Sequence, residues 1–290
     1  MRFSGSYVAL VTPFYADGSV NFEKLRELVE WHVQQGTDGI VALGTTGESS
    51  TMSHEEDDAV ARAVIETVNG RIPVICGAGS NSTQTQLEKS RRYHDMGADG
   101  LLLITPYYNK ANDEGMYRHF AAVADTVDTP IILYNVPGRT GCSISPACCA
   151  RLAAHPNIAG IKEASGNIGY TARIAKLVGD DFCLFSGNDD MIVPIMSLGG
   201  CGVISVWANI CPKEVHALTS AFASGEIAKA REIQLKYLEL IDALFCEVNP
   251  IPVKEAMNQM GMEVGGYRLP LCEVSSAGRE RVRRALEVLR

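Results

Sequence analysis

The stretch "PVICGAGSNSTQTQLEKSRRYHDMGADGLLLITP" (73–106) reads as strand, helix, strand. Its first run, 72–79, is continuously apolar until the glycines, as expected of a strand buried on both faces. Residues 82–97 carry a helical pattern that stops at Gly97, a residue type suited to the left-handed turn after a helix. A second apolar run, 100–108, follows at once. Two such strands joined through a helix form a parallel unit.

The same unit recurs along the chain. Apolar runs lie at 7–13, 39–47, 72–79, 100–108, 130–138, 158–166, 182–188 and 202–207, which makes eight. Between the first two, Phe22, Leu25, Leu28, Val29 and His32 fall at helical spacing before Gly36. Ser53 opens another helical stretch, with acids in its first turn and Gly70 at its end. Eight strand-helix units predict an α/β fold of the closed (β/α)8 type, a TIM barrel. An open doubly wound sheet usually has fewer strands and a glycine-rich phosphate turn after the first, and this chain has no such turn. Residues 226–290 have no strand pattern. The stretches "EIAKAREIQLKYLELIDALF", "NPIPVKEAMNQMG" and "SSAGRERVRRALEVLR" read as three amphipathic helices. The expected division is a barrel over 1–225 and a C-terminal α-helical domain over 226–290.

Composition narrows the function classes. A chain of 290 residues buries enough surface to need no disulfide or metal staple. Its net charge of −8, without a Lys/Arg block, suits neither nucleic acid nor an anionic membrane. "MRFSGSYVALVTPF" lacks the apolar core and cleavage site of a signal peptide, and no run approaches the roughly 18 residues of a membrane span. The nine cysteines are scattered, as expected of reduced thiols in a cytoplasmic protein. The six histidines form no close pair and no C-x-x-C has ligand spacing, so no metal site is expected. The glycine-rich "LGGCGVIS" (198–205) reads as a tight turn into the eighth strand.

Chemistry in a barrel gathers at the C-terminal strand ends. There the chain offers Thr12, Gly44-Thr45-Thr46-Gly47-Glu48, Tyr107-Tyr108-Asn109, Tyr134-Asn135, Arg139, Lys162-Glu163 and Ser186-Gly187-Asn188. Lys162 stands out, because it ends the buried run "IAGIKE". A neutral amine attacks a ketone to form an imine, and the protonated imine then acidifies the neighbouring carbon. An ordinary lysine, with a pKa of about 10.4, is rarely neutral at pH 7, and desolvation raises the neutral fraction. Tyr134 on the adjacent strand suits proton transfer at the carbinolamine. Thr45 and Thr46, between glycines, suit a small carboxylate. Arg139 suits a second carboxylate.

Four motifs in order, "GTTGES" (44–49), "TPYYN" (105–109), "YNVPGRTG" (134–141) and "GIKEASGN" (160–167), resemble the dihydrodipicolinate synthase family of class I, pyruvate-dependent aldolases. "ALVTPF", "FSGNDD", "GGCGVISV" and "NPIPVKEA" extend the resemblance nearly end to end. The resemblance implies that Lys162 forms a Schiff base with pyruvate. It makes Tyr134, Thr46 and Tyr108 a proton relay, with Tyr108 reaching in from a neighbouring subunit. It implies that Thr45 and Thr46 hold the pyruvate carboxylate, that Arg139 receives L-aspartate 4-semialdehyde, and that Gly187 and Ile204 line the pocket. No metal or organic cofactor is implied. The implied assembly is a homotetramer built as a dimer of dimers. Ser49, His54, Asn81 and Tyr107 match positions that bind the inhibitor lysine in some members. Asp57 and Thr85 depart from those members, which carry histidine and glutamate there. The expected result is weak or absent inhibition, with Asp57 partly compensating. Related lysine-dependent aldolases, acting on N-acetylneuraminate or 2-keto-3-deoxy sugar acids, are the alternative reading, and the "PGRTG" arginine weighs against them. A barrel that only binds is a further alternative.

Overall fold

A computed structural model of the chain describes residues 3–290. Its strands are β1 (Gly5–Ala9), β2 (Gly39–Ala42), β3 (Val74–Gly77), β4 (Gly100–Ile104), β5 (Ile131–Asn135), β6 (Ile158–Glu163), β7 (Cys183–Ser186) and β8 (Gly202–Ser205). All pair in parallel, in chain order, and β8 closes on β1. A Cβ on Gly202 would lie 2.0 Å from the Gly5 carbonyl oxygen, so closure there depends on glycine. The run "LGGCGVIS" therefore serves barrel closure at the N-terminal end of β8, opposite the face where barrel chemistry sits.

The eight predicted strands are present, with shorter spans. The first starts at Gly5 and ends at Ala9 instead of running to Thr12. The Val11 N–H is taken by the Asn209 side chain at 3.2 Å, and Pro13 has no N–H, so the ladder cannot continue. The helices start and stop where capping chemistry allows. Ser53 and Glu56 form a reciprocal capping box on His54–Val68. Ser82 caps Thr83–Asp95, and Gly97 follows in the left-handed region at φ +85°.

Two apolar layers hold the structure. An inner layer fills the barrel with Tyr7, Val41, Ile75, Leu102, Ile132, Phe185 and Ile204. An outer layer, including Val8, Ile40, Leu101, Leu133 and Ile161, packs strands against helices. The segment after 225 contains helices joined by irregular chain and no strand, as expected. The first predicted helix is divided at Tyr237 into Ile227–Lys236 and Leu238–Ala243, and the Tyr237 ring packs on Trp207 at 5.1 Å. Ile251–Gln259 and Ser276–Ala285 complete the segment. Among the described residues, no helix is long and apolar enough to cross a membrane. Among the described residues no cysteine is in a disulfide, and six of the nine are buried.

Candidate active site

The face presented by Lys162 is set by an irregularity in its own strand. Ile131 pairs with Ile158 but Ile132 pairs with Gly160, so the register skips Ala159. Beyond the skip, Ile161 packs in the outer layer. Lys162 stands between the inward-facing Tyr134 and Phe185. Without the extra residue, alternation would send Lys162 outward among the helices. Lys162 is only 6 % exposed, and its Nζ lies 4.4 Å from the Tyr134 ring centroid.

Gly187 leaves room for this side chain. A Cβ there would lie 2.6 Å from the Ala164 Cβ and 3.2 Å from the Lys162 Cε. Ile204 is fully buried in the inner layer. Three lysines of the described residues are buried, namely Lys89, Lys162 and Lys254. Lys89 pairs with Asp57 at 2.8 Å and Lys254 with Glu48 at 2.9 Å. Among the described residues, Lys162 has neither an ion pair nor a hydrogen bond, and it faces an aromatic ring instead. An amine held this way keeps its lone pair available once deprotonated.

The neighbouring acids have settled roles. Glu163 faces the opposite way and is buried. It accepts from the Asn135 amide at 2.7 Å and from the Ser165 N–H at 2.7 Å. Burial raises its pKa above the usual carboxylate range, and these donors pull it back. It ties the ends of β5 and β6 together behind the lysine. Asp189, just past β7, is also buried and accepts from the Val206 and Trp207 N–H groups at 3.0 and 2.9 Å. Burial raises its pKa too, opposed by the Ser205 hydroxyl, those two N–H groups and the charge of Lys162.

The turn after β2 carries the threonines. Gly47 N–H donates to Gly44 at 3.1 Å, and Glu48 N–H donates to Thr45 at 3.1 Å. The turn is flanked by two non-glycine residues in the left-handed region, Leu43 (φ +60°) and Glu48 (φ +56°). Such residues cost on the order of 1–3 kcal/mol each and persist where surrounding contacts over-determine them. Thr46 is buried, and its hydroxyl accepts from the Asn249 amide at 3.0 Å. Among the described residues, the N–H groups of Thr45 and Thr46 have no protein partner.

A cavity of about 450 Å³ opens at this end of the barrel, with Thr45, Tyr134, Tyr107 and Arg139 on its wall. Lys162, Thr46, Gly187 and Ile204 are not on that wall, and Lys162 approaches it through the Tyr134 ring. Arg139 lies on the short helix Pro137–Thr140 and donates to the Asn249 carbonyl at 3.4 Å. Tyr108, at φ +69°, is 93 % exposed and is not on the cavity wall.

The cavity continues past Ser49, His54, Asp57, Thr85 and Lys89. Asn81 is not on its wall. It holds the neighbouring loop, donating to the Tyr107 carbonyl at 3.2 Å and accepting from Asn109 at 3.0 Å. Asp57, expected to compensate in part for the missing ligand contacts, has its Oδ2 occupied by the Lys89 ammonium and by the Ser49 hydroxyl, the latter at 3.1 Å. Its buried Oδ1 has no partner among the described residues. Burial raises the Asp57 pKa, and Lys89 only partly reverses that.

Comparison with known proteins decides the family. The profile of the dihydrodipicolinate synthetase family matches residues 2–289. The chain belongs to this family. A relative from Clostridium perfringens, a 4-hydroxy-tetrahydrodipicolinate synthase, is 52% identical over 275 residues, covering 95% of this chain and 94% of its own. A chloride-inhibited dihydrodipicolinate synthase from Acinetobacter baumannii, complexed with pyruvate, superposes with a TM-score of 0.96 at 45% identity, over 98% of each chain. The Cyanidioschyzon merolae enzyme with lysine bound gives 0.96 at 39% identity, over 99% of this chain and 98% of its own.

Within this family member, sequence reasoning missed Asp189, Asn249, Lys89 and Lys254. Asp189 had a local signal, an acid pair directly after a strand end. Asn249 and Lys254 lie in the "NPIPVKEA" motif, but nothing local gives their partners, which stand at sequence separations of 203 and 206.

Proposed function

We propose that the chain condenses pyruvate with L-aspartate 4-semialdehyde to give 4-hydroxy-tetrahydrodipicolinate, a lyase-type step of lysine and diaminopimelate biosynthesis. The observation that carries this reading is Lys162, the buried lysine that among the described residues has no polar partner, set against Tyr134 in a member of this family. The neutral amine attacks the pyruvate ketone. The carbinolamine loses water, with Tyr134 handing a proton to the departing hydroxyl. The iminium draws electrons from the methyl carbon, which loses a proton to give an enamine. The enamine carbon adds to the aldehyde. The amino group of the second substrate then attacks the imine carbon, closes the ring and releases Lys162.

Thr45 and Thr46 are assigned to the pyruvate carboxylate, supported by their unpaired N–H groups. Thr46 also passes protons to Tyr134. Gly187 and Ile204 are assigned to the pocket wall beside the lysine. Tyr108 serves the site of a neighbouring protomer in a homotetramer, supported by its exposure. The helical segment 226–290 is treated as a C-terminal domain, and small metabolite substrates fit a cytoplasmic location. The test is incubation with pyruvate and borohydride, followed by peptide mass mapping. A reduced adduct on Lys162 is expected, and no adduct would sink the aldolase reading. Turnover of aspartate semialdehyde but not N-acetylneuraminate is expected in a coupled assay.

Arg139 is assigned to the carboxylate of the second substrate. A charge-assisted pair is worth about 1.5–3 kcal/mol, so Arg139→Ala is expected to raise KM for aspartate semialdehyde about 10- to 100-fold. Borohydride trapping of pyruvate should be unchanged, and loss of trapping would show that the assignment is wrong.

The second part of the cavity does not suit a free lysine molecule. Lys89 already places an ammonium on Asp57, and Thr85 offers no charge to an α-ammonium group. A second cation there meets like-charge repulsion. Initial rates are expected to be insensitive to sub-millimolar L-lysine, and inhibition in that range would refute this assignment.

A further inference from the structure

The buried pair Lys254–Glu48 is not used by the chemistry, yet both side chains are 0 % exposed. Burying two charges is costly unless every donor is satisfied, and here the ammonium is. It donates to the Glu48 carboxylate at 2.9 Å, to the Thr12 carbonyl at 3.1 Å and to the Gly266 carbonyl. Thr12 in turn donates its hydroxyl to the Gly47 carbonyl at 2.6 Å. The second Glu48 oxygen faces the Arg268 N–H at 3.5 Å. The ammonium also lies 4.5 Å from the Phe14 ring centroid.

These contacts meet at one place. Glu48 is the left-handed residue that ends the Thr45–Thr46 turn, and Gly47 is its last carbonyl before Glu48. The turn has only two short hydrogen bonds of its own, from Gly47 to Gly44 and from Glu48 to Thr45, and among the described residues the Thr45 and Thr46 N–H groups point to no protein acceptor. Its shape is therefore held from the C-terminal segment, which supplies Lys254 to Glu48 and Asn249 to Thr46. A pair with only a packing role has no need to converge on the turn whose Thr45 and Thr46 N–H groups are held in reserve.

We infer that Lys254 and Glu48 are positioning residues, which hold the Thr45–Thr46 turn in the conformation that receives the substrate carboxylate. This rests on the proposed pyruvate chemistry. The pair acts through the threonines and touches no substrate.

The test is the double variant Glu48→Met/Lys254→Met, which removes both charges and leaves none uncompensated. It is compared with wild type for melting temperature, both KM values and borohydride trapping. The expected result is wild-type melting and an unchanged KM for the aldehyde. KM for pyruvate should rise roughly 10- to 100-fold, with trapping slowed at limiting pyruvate and restored at saturating pyruvate. A folded double variant with wild-type pyruvate KM would overturn the inference. Absence of any adduct in the parallel wild type would instead overturn the underlying chemistry. Should the double variant not fold, Thr12→Val removes the Gly47 contact without touching a charge. A rise confined to pyruvate KM then supports the inference, and unchanged kinetics overturn it.

Discussion

Lys162→Ala is expected to abolish the borohydride-trapped pyruvate adduct and to lower kcat by at least about a thousandfold, the scale of losing a covalent nucleophile. The companion variant Lys162→Arg separates charge from nucleophilicity. It keeps a cation at the end of β6, but a guanidinium is never deprotonated in a protein and forms no imine. Both variants should therefore be equally inactive. The prediction has a built-in control, because Lys89 and Lys254 are also buried. Each is committed to a carboxylate at under 3 Å, so neither should take over the adduct. An adduct appearing on either lysine in Lys162→Ala would show that the isolation of Lys162 is not what selects it.

Tyr134→Phe should have the second largest effect, lowering kcat by about 10²- to 10⁴-fold, the usual range for a positioned proton-transfer group. The ring that packs against Lys162 is retained, so folding and the placement of the amine should be preserved. Among the described residues the Tyr134 hydroxyl has no protein partner, and the residue lies on the cavity wall, so its loss leaves no buried group unsatisfied. The adduct should still form on Lys162, only more slowly, because imine formation without the relay relies on solvent protons. Wild-type trapping rates in Tyr134→Phe would remove the tyrosine from the mechanism. A large drop in melting temperature would instead mark it as a core residue.

Lys162, Tyr134, Thr46 and Arg139 can be singled out from the sequence because each lies at or just beyond a strand end, and in a barrel the ends of the strands share one face. Periodicity of two and of 3.6 residues is a local property, so it marks the eight strands and the capped helices directly. The roles of the buried polar groups were not legible. "KE" at 162–163 gives no sign of which charge faces inward, because that depends on the skipped residue at Ala159 and on the neighbouring strand. The pairing of Asp57 with Lys89, 32 positions away, likewise leaves no mark in the local sequence.

What the sequence by itself determined is the barrel, the order of its strands and the residue types at its mouth, since these follow from short-range pattern and capping. What only the tertiary structure decided is which of those residues are held by others. Asn249 reaches Thr46 and Lys254 reaches Glu48 across most of the chain. Such pairs leave no periodic trace, because a buried hydrogen bond requires only that two groups meet in space, and the closed barrel is what brings them together.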